Sequence, residues 1–268
     1  MSDSVRVERE NGVGWVTLNR PDRMNALTPE MLAVLPERLG EVANDPEVRC
    51  VVLTGEGERA FSAGADLAPP GTRGNPVSRA DRTLEASIDQ LKHFQESSWL
   101  LHTMPKPTLA AINGAAAGAS FSMALACDFR VVAEHAVMTT AFARIGFSGD
   151  FGGAYFMTQI LGTAKARELY MLGSRVGAEE AHEIGLVHRK FSSDSFRKET
   201  REFAEKIAAG PPLGYRYMKR NLNLAIHSHL RDLLDLEAEA MMRTGRSEDF
   251  MNATAAFLKK EDPVFRGR

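Results

Sequence analysis

Residues 108–133 contain a long run without charge, because no Asp, Glu, Lys or Arg occurs from Leu109 to Cys127. A run of about 18 or more apolar residues is long enough to span a membrane. Asn113 and Gly114 interrupt this run with a turn signal, and Gly and Ala stand where a membrane helix carries Leu and Ile. The stretch therefore predicts a buried strand, a turn of small residues, a short helix and a second strand.

The turn from Gly114 to Ala119 has almost no side chain, so N–H groups at the start of the following helix can approach a ligand closely. A helix start also favours negative charge. The turn lacks the Gly-Lys-Ser/Thr end of a phosphate loop, the three spaced glycines of a dinucleotide site and the G-x-S-x-G pattern of a nucleophile elbow. A bare backbone donor suits an oxyanion better than a phosphate.

Composition excludes several classes of protein. Lys and Arg total 33 against 35 Asp and Glu, a formal charge of −2 that argues against nucleic-acid binding and against a basic membrane anchor.

Cys50 and Cys127 lie in apolar surroundings, which predicts buried free thiols and a reducing compartment. The first twelve residues are polar and show no leader pattern, so we expect a cytoplasmic protein. The seven histidines have no metal-ligand spacing, so we expect no metal.

The remaining patterns predict a mixed core followed by helices. Val5 to Glu10 and Val13 to Leu18 predict a hairpin, Thr28-Pro29 starts a helix, and Cys50 to Thr54 is a buried strand. Further elements are expected at 84–101 (helix), 131–140 (strand), 152–172 (helices) and 186–190 (strand). Residues 68–81, rich in Pro and Gly, predict a flexible loop. We divide the chain into a core, 1–192, and a helical region, 193–268, with helices at 197–208, 213–226, 230–242 and 248–258.

Several motifs carry a resemblance to a known family. They are LNRPDRMNAL at 18–27, AFSAGADL at 60–67, KPTLAAING at 106–114, Cys127-Asp128, AFLKK at 256–260 and PVFRGR at 263–268. These motifs resemble the enoyl-CoA hydratase/isomerase family, also called the crotonase superfamily, over nearly the whole chain. The resemblance implies an α/β fold, the crotonase (ClpP-like) spiral of ββα repeats, with a C-terminal helical region that forms a homotrimer or a dimer of trimers. It also implies an acyl-CoA thioester substrate, so coenzyme A enters with the substrate and no separate cofactor is expected.

The resemblance also assigns candidate site residues. It places two oxyanion N–H donors on Ala65 and Ala119, of which the second is usually Gly in the family. The residues that it places around coenzyme A are Arg23, Met24, Ala63, Ala65, Asp66, Phe257 and Lys260. Asp66 has the alternative role of fixing its turn. Phe257 and Lys260 have the alternative of an ordinary exposed helix.

Two departures from the family are informative. The two glutamates with which family hydratases position and activate water fall on Ser122 and Phe142, so acid–base addition of water lacks its usual groups. Asp150 lies where the family's double-bond isomerases carry an aspartate, although it has the alternative role of capping the helix that begins near Gly152. We therefore expect isomerisation of a 3-enoyl-CoA to a 2-enoyl-CoA. The alternatives are hydration, hydrolysis of a thioester or C–C bond, and a silent acyl-CoA binder.

Overall fold

The computed structural model describes residues 4–67 and 83–268, so the loop predicted at 68–81 lies outside the described residues. The strands are β1 Val5–Glu10, β2 Val13–Leu18, β3 Cys50–Gly55, β4 Ala60–Ser62, β5 Thr108–Ile112, β6 Ala115–Ala117, β7 Phe129–Ala133, β8 Val137–Thr139, β9 Val176–Gly177 and β10 Arg189–Phe191. The helices are α1 Pro29–Asn44, α2 Leu84–Thr103, α3 Ala119–Ala126, α4 Gly153–Leu172, α5 Ala178–Glu183, α6 Phe196–Ala208, α7 Pro212–Ala225, α8 Leu230–Thr244 and α9 Glu248–Lys259. Short 3₁₀ helices occur at Pro21–Arg23 and Phe142–Ile145.

The strands and helices repeat as strand, strand, helix. In the successive units β3-β4-α2, β5-β6-α3 and β7-β8-α4, the first strand joins one sheet and the second strand joins another. Within the described residues the first sheet has the order β1-β2-β3-β5-β7-β10 and the second has the order β4-β6-β8-β9. Pairing from β2 to β10 in the first sheet is parallel. This arrangement confirms the expected spiral of ββα repeats.

Local signals in the sequence set the first elements. Asn11 and Gly12, the two turn residues of the β1-β2 hairpin, have φ values of 49° and 77°. Two positive φ values are those that match a two-residue turn to the twist of the strands. Thr28 caps α1, because its side chain accepts a hydrogen bond from Met31 N at 3.3 Å. The predicted hairpin and helix start are confirmed.

The interior is a continuous apolar core between the first sheet and the helices. Cys50 and Cys127 are both free and buried in this core, as expected. Burial raises the pKa of Cys127 to about 12, so its thiol stays protonated and inert at neutral pH.

The last strand begins later than the sequence pattern predicts. The prediction was 186–190, whereas β10 spans Arg189–Phe191 and pairs with β7. The N–H groups of Leu186 and Val187 both donate to Ala181 O, at 2.8 and 3.1 Å. These two apolar residues therefore close the end of α5 instead of entering the sheet.

Residues 193–268 form helices, as the sequence predicts. α6 packs Phe196, Ala204 and Ile207 into the core of the first sheet. α7 is held by Lys219, which is 7% exposed, pairs with Asp128 at 2.7 Å and donates to Leu101 O at 2.8 Å. The boundary at residue 193 stays a prediction. No helix in the described ranges, 4–67 and 83–268, is long and apolar enough to cross a membrane.

Candidate active site

The first of the two small-residue turns leaves β4 and reaches Ala65. Leu27 N donates to Gly64 O at 2.8 Å, and Asp66 N donates to Leu27 O at 2.9 Å, which makes a parallel bridge between Leu27 and Ala65. Backbone groups along an extended segment alternate in direction. The N–H of Ala65 therefore points away from Leu27, on the side where the second turn lies.

The two turns contact each other directly. Gly64 has a φ of +86°, and a Cβ there would lie 2.7 Å from Ala117 O and 3.8 Å from Gly118 Cα. Only Gly permits this approach. Ser120 Oγ donates to Ser62 O at 2.8 Å, so a buried hydroxyl also joins the turns, and Gly64 N donates to Ser62 Oγ at 3.1 Å within the first turn. Two segments that are distant in the sequence thus form one surface.

The second turn starts α3. Gly118 has φ 56° and ψ −127°, a conformation that side chains disfavour, and Ala119 is the first residue of the helix. The first N–H groups of a helix have no partner within the helix. Ala119 is 4% exposed, whereas Ala65 is exposed. The structure thus places Ala65 and Ala119 on adjoining turns, and their role as oxyanion donors stays a prediction.

Asp150 lies in an unusual turn before α4. The neighbouring residues Gly149, Phe151 and Gly152 have φ values of 97°, 52° and 76°. Asp150 Oδ1 is buried and has no hydrogen-bond partner among the described residues. The N-terminal cap of α4 is Gly152, and no side chain makes a cap hydrogen bond there. The structure therefore does not support the alternative that Asp150 caps this helix.

Burial alone raises the pKa of the Asp150 carboxyl to about 6, and no charged side chain of the described residues contributes to this shift. A carboxyl group with this pKa is a stronger base than an ordinary aspartate and is still largely ionised at pH 7. Such a group can accept a proton from carbon and return it.

The two positions where the resemblance places hydratase glutamates lie beside this turn. Ser122, in the first turn of α3, is so close to Gly153 that a Cβ on that glycine would collide with Ser122 Oγ. The Phe142 ring lies 3.6 Å from the place of a Cβ at Gly118. Both residues are buried, at 2% and 6% exposure. The structure therefore brings the turn of Gly118 and Ala119, these two positions and the turn of Asp150 into one region.

The residues assigned to coenzyme A fall into two groups. Ala63 N donates to Met24 O at 2.9 Å, which brings the exposed Arg23 and the half-buried Met24 to the turn of Ala65. Arg20 pairs with Asp66 at 3.1 Å, and this contact supports the role of Asp66 in fixing its turn. The second group consists of Phe257, which is 80% exposed, and Lys260, an exposed residue that ends α9. The single chain leaves both on its outer surface.

Residues that the sequence did not indicate also shape the site. Asn25 Nδ2 donates to Ala60 O at 2.8 Å, and Asn113 Nδ2 donates to Gly57 O at 2.7 Å, so two buried amides hold the segment that leads into the first turn. Tyr170 contacts the turn of Asp150 from α4. The asparagines stand in the quoted motifs, whereas no local signal marks Tyr170.

A cavity of about 930 Å³ lies between α2, α4 and α7. Its wall includes Trp99, Phe151, Gly152 and Tyr155, but no residue of the turns that contain Ala65 and Ala119. We therefore place the chemistry at the adjoining turns and not in this cavity. Among residues 4–67 and 83–268, no group of three or more His, Cys, Asp or Glu could hold a metal ion.

The fold is thus a ββα spiral in which two turns of small residues adjoin each other near the turn of Asp150, whose Oδ1 is buried. A sequence profile of the enoyl-CoA hydratase/isomerase family matches residues 8–268. This chain therefore belongs to the enoyl-CoA hydratase/isomerase family, which confirms the resemblance.

Individual relatives carry names of different reactions. The chain is 35% identical to the 1,2-epoxyphenylacetyl-CoA isomerase of Escherichia coli (strain K12) over 268 residues, 100% of each chain. It is 30% identical to the short-chain-enoyl-CoA hydratase of Clostridium acetobutylicum over 258 residues, 96% of this chain and 95% of the relative. The crystal structure of an enoyl-CoA hydratase from Bacillus anthracis has a TM-score of 0.90 and 30% identity, over 99% of this chain and 100% of that one.

Proposed function

We propose that this protein is an enoyl-CoA isomerase that converts a 3-enoyl-CoA to a 2-enoyl-CoA. The observation that carries the proposal is the state of Asp150, a half-buried aspartate whose Oδ1 is buried without a partner among the described residues and whose pKa is raised to about 6. Migration of a double bond requires one base that removes a proton and returns it elsewhere. The relative named as an isomerase, similar over its full length, supports this choice.

In the proposed mechanism, the thioester oxygen accepts hydrogen bonds from the N–H groups of Ala65 and Ala119. Asp150 removes a proton from C2, the electron pair of that C–H bond forms a double bond between C1 and C2, and the electron pair of the C=O double bond moves onto the thioester oxygen to give a dienolate. The dienolate then takes the same proton from Asp150 at C4, and the double bond comes to rest between C2 and C3. The two N–H donors stabilise the negative charge, and each donor of this kind is typically worth a factor of about 10²–10³ in rate.

Coenzyme A would bind along Arg23 and Ala63, which are exposed, and Met24 and Asp66, which are half-buried, where their segments meet beside the turn of Ala65. Phe257 and Lys260 would reach the nucleotide of a neighbouring copy, which is consistent with their exposure in the single chain.

A panel of 3-enoyl-CoA and 2-enoyl-CoA thioesters of different chain length tests the proposal. Double-bond position, added water and free thiol should be followed in the same reactions. Migration of the double bond supports an isomerase. Rapid addition of water would indicate a hydratase, the activity for which one relative is named. Release of thiol would indicate a hydrolase, and either result would contradict the isomerase proposal. Binding without any reaction would indicate a silent binder.

Hydration of crotonyl-CoA should be very slow. Ser122 and Phe142 supply no carboxylate at the places where family hydratases activate water, and Asp150 alone cannot both deprotonate water and protonate the α-carbon from a second position. The measurement is the loss of the conjugated-thioester absorbance with purified protein. Formation of 3-hydroxybutyryl-CoA at a rate comparable with double-bond migration would contradict this assignment of the site.

The isomerase rate should rise with pH and level off above about pH 7. The base must be ionised, and the pKa of Asp150 is raised to about 6. Protonation therefore removes the active form as the pH falls through about 6, whereas an aspartate with an ordinary pKa would stay active to about pH 4. The measurement is kcat/KM from pH 4.5 to 8.5. A profile that stays flat down to pH 5 would show that Asp150 is not the essential base.

The protein should assemble as a trimer or a dimer of trimers in solution. α7, α8 and α9 leave large apolar side chains exposed in the single chain, a pattern typical of a covered interface. The most exposed of them are Leu222, Leu230, Met241, Met242, Met251, Phe257 and Leu258. Light scattering at micromolar concentration measures the assembly, and a monomer would be inconsistent with this proposal.

A further inference from the structure

α4 reverses direction in its middle. Gly162 has φ 74° and ψ 168°, values outside the helical region, so residues 153–161 and 163–172 form two arms. In a straight helix Ala154 and Tyr170 would be about 24 Å apart, at 1.5 Å per residue. Instead the Tyr170 hydroxyl lies 3.1 Å from the place of a Cβ at Gly153. The second arm therefore returns beside the start of the first.

The Tyr170 hydroxyl fills the turn that contains Asp150. A Cβ at Gly149 would collide with it, so this glycine leaves the room that the hydroxyl occupies. The Phe142 ring packs against the Tyr170 ring with centroids 5.8 Å apart. The backbone N–H of Ala154, next to Gly153 in the chain, lies close enough to the hydroxyl to lower the pKa of Tyr170. Tyr170 is thus fixed on both sides, by its ring and by its hydroxyl.

The Tyr170 hydroxyl lies where a capping side chain would normally lie. Ala154 is the second residue of α4, and the N–H at this position is one that a cap residue usually binds. The cap residue here is Gly152, which has no side chain. Asp150 is the nearby residue with the strongest preference for such an N–H, because aspartate is among the best capping residues. Its Oδ1 nevertheless has no partner among the described residues.

We propose that Tyr170 is a positioning residue that occupies the capping place at the start of α4 and thereby keeps the Asp150 carboxylate free to accept a proton. The proposal rests on the function proposed above. A carboxylate that accepts backbone N–H groups is a weaker base, since those hydrogen bonds favour its ionised form. Tyr170 is neutral at working pH, so it fills the place without adding a charge beside the base.

Among the described residues around Asp150, Tyr170 is the titratable side chain that interacts with the charge of its carboxylate. α3 contributes Ser122, which does not titrate. The 3₁₀ helix contributes Phe142 and Arg144; Arg144 Nε donates to Gly173 O at 3.0 Å, and its charge does not contribute to the pKa shift of Asp150. Burial, and after it the charge of Asp150, raises the pKa of Tyr170 to about 12. The two side chains are therefore close enough to interact electrostatically.

The test compares Tyr170→Phe with a matched control, Tyr215→Phe. Tyr215, in α7, also places its hydroxyl against a glycine, Gly210, but lies outside the candidate site. For each protein, the infrared band of a protonated carboxyl group is followed from pH 4 to 8, as the difference from the same protein carrying Asp150→Asn. The pH profile of kcat is measured in parallel, and thermal melts report folding.

In Tyr170→Phe the space that the hydroxyl filled is free, and we expect Asp150 to turn through it onto the Ala154 N–H. Its titration midpoint should fall from about 6 toward the ordinary value near 4, and kcat at pH 8 should fall about 10- to 100-fold through misplacement of the base. KM should change little, and the control should match the wild type. An unchanged or higher midpoint in folded Tyr170→Phe would overturn the positioning role, even if kcat fell. The infrared titration needs no turnover, so it remains decisive if the isomerase assignment itself fails.

Discussion

Replacing Asp150 by Asn should abolish isomerisation of a 3-enoyl-CoA and leave the binding of product analogues nearly intact. Asn has the same shape but cannot accept the proton, and a positioned base typically contributes a factor of about 10²–10⁴ or more. Turnover with a 3-enoyl-CoA and the dissociation constant of a 2-enoyl-CoA analogue are the two measurements. Asp194→Asn, a change at an exposed aspartate, is the control and should have no effect on either.

The same variant should be at least as stable as the wild type at pH 8. The pKa of Asp150 is raised in the folded state, so the folded protein binds this proton more tightly than the unfolded chain does. The stability contributed by this group is therefore present at low pH and is lost as the pH rises through about 6. Asn removes the buried charge, so the melting temperature at pH 8 should stay the same or rise. Near-normal turnover in the folded variant would remove Asp150 from the mechanism.

Replacing Ala119 by Pro should reduce turnover by about 10²–10³, the effect typical of losing one oxyanion donor. Proline has no N–H, and it is well tolerated at the first position of a helix, which Ala119 occupies in α3. The substitution therefore deletes the proposed donor and leaves the helix start in place. The measurement is kcat for double-bond migration, accompanied by a thermal melt.

Ala119→Gly is the matched control for this change. Glycine keeps the N–H, and the resemblance gives it as the usual family residue at this position, so turnover should stay within a few-fold of the wild type. If Pro and Gly had the same effect, the change would come from the side chain, and the N–H of Ala119 would not be an oxyanion donor.

The sequence by itself determined the elements whose signals are local. The Asn11-Gly12 turn fixed the first hairpin, the Thr28-Pro29 pair fixed the start of α1, and the apolar stripes fixed the helices after residue 193 within a few residues. These features depend on backbone preferences and on periodicity, which are written in consecutive residues. Motifs spread along the chain indicated the family, and the family implied the spiral.

Local signals were insufficient where a residue makes its decisive contact far away in the chain. Leu186 and Val187 read as strand residues, but their N–H groups bind α5, because the end of that helix competes for them. For Asp150, the sequence left a capping role open, and only the burial of its carboxyl in the folded chain distinguishes a free base from a cap.

The tertiary structure alone decided how the site is assembled. Contact between Gly64 and Ala117 joins two turns that the sequence shows only separately, because a glycine without a Cβ lets two backbones approach closely. The reversal at Gly162 brings Tyr170 back to the turn of Asp150, across 20 residues of chain whose helical pattern gives no sign of it. The sequence determined which chemical groups are available, and packing decided which of them meet, since proximity across the chain depends on the whole fold and not on neighbouring residues.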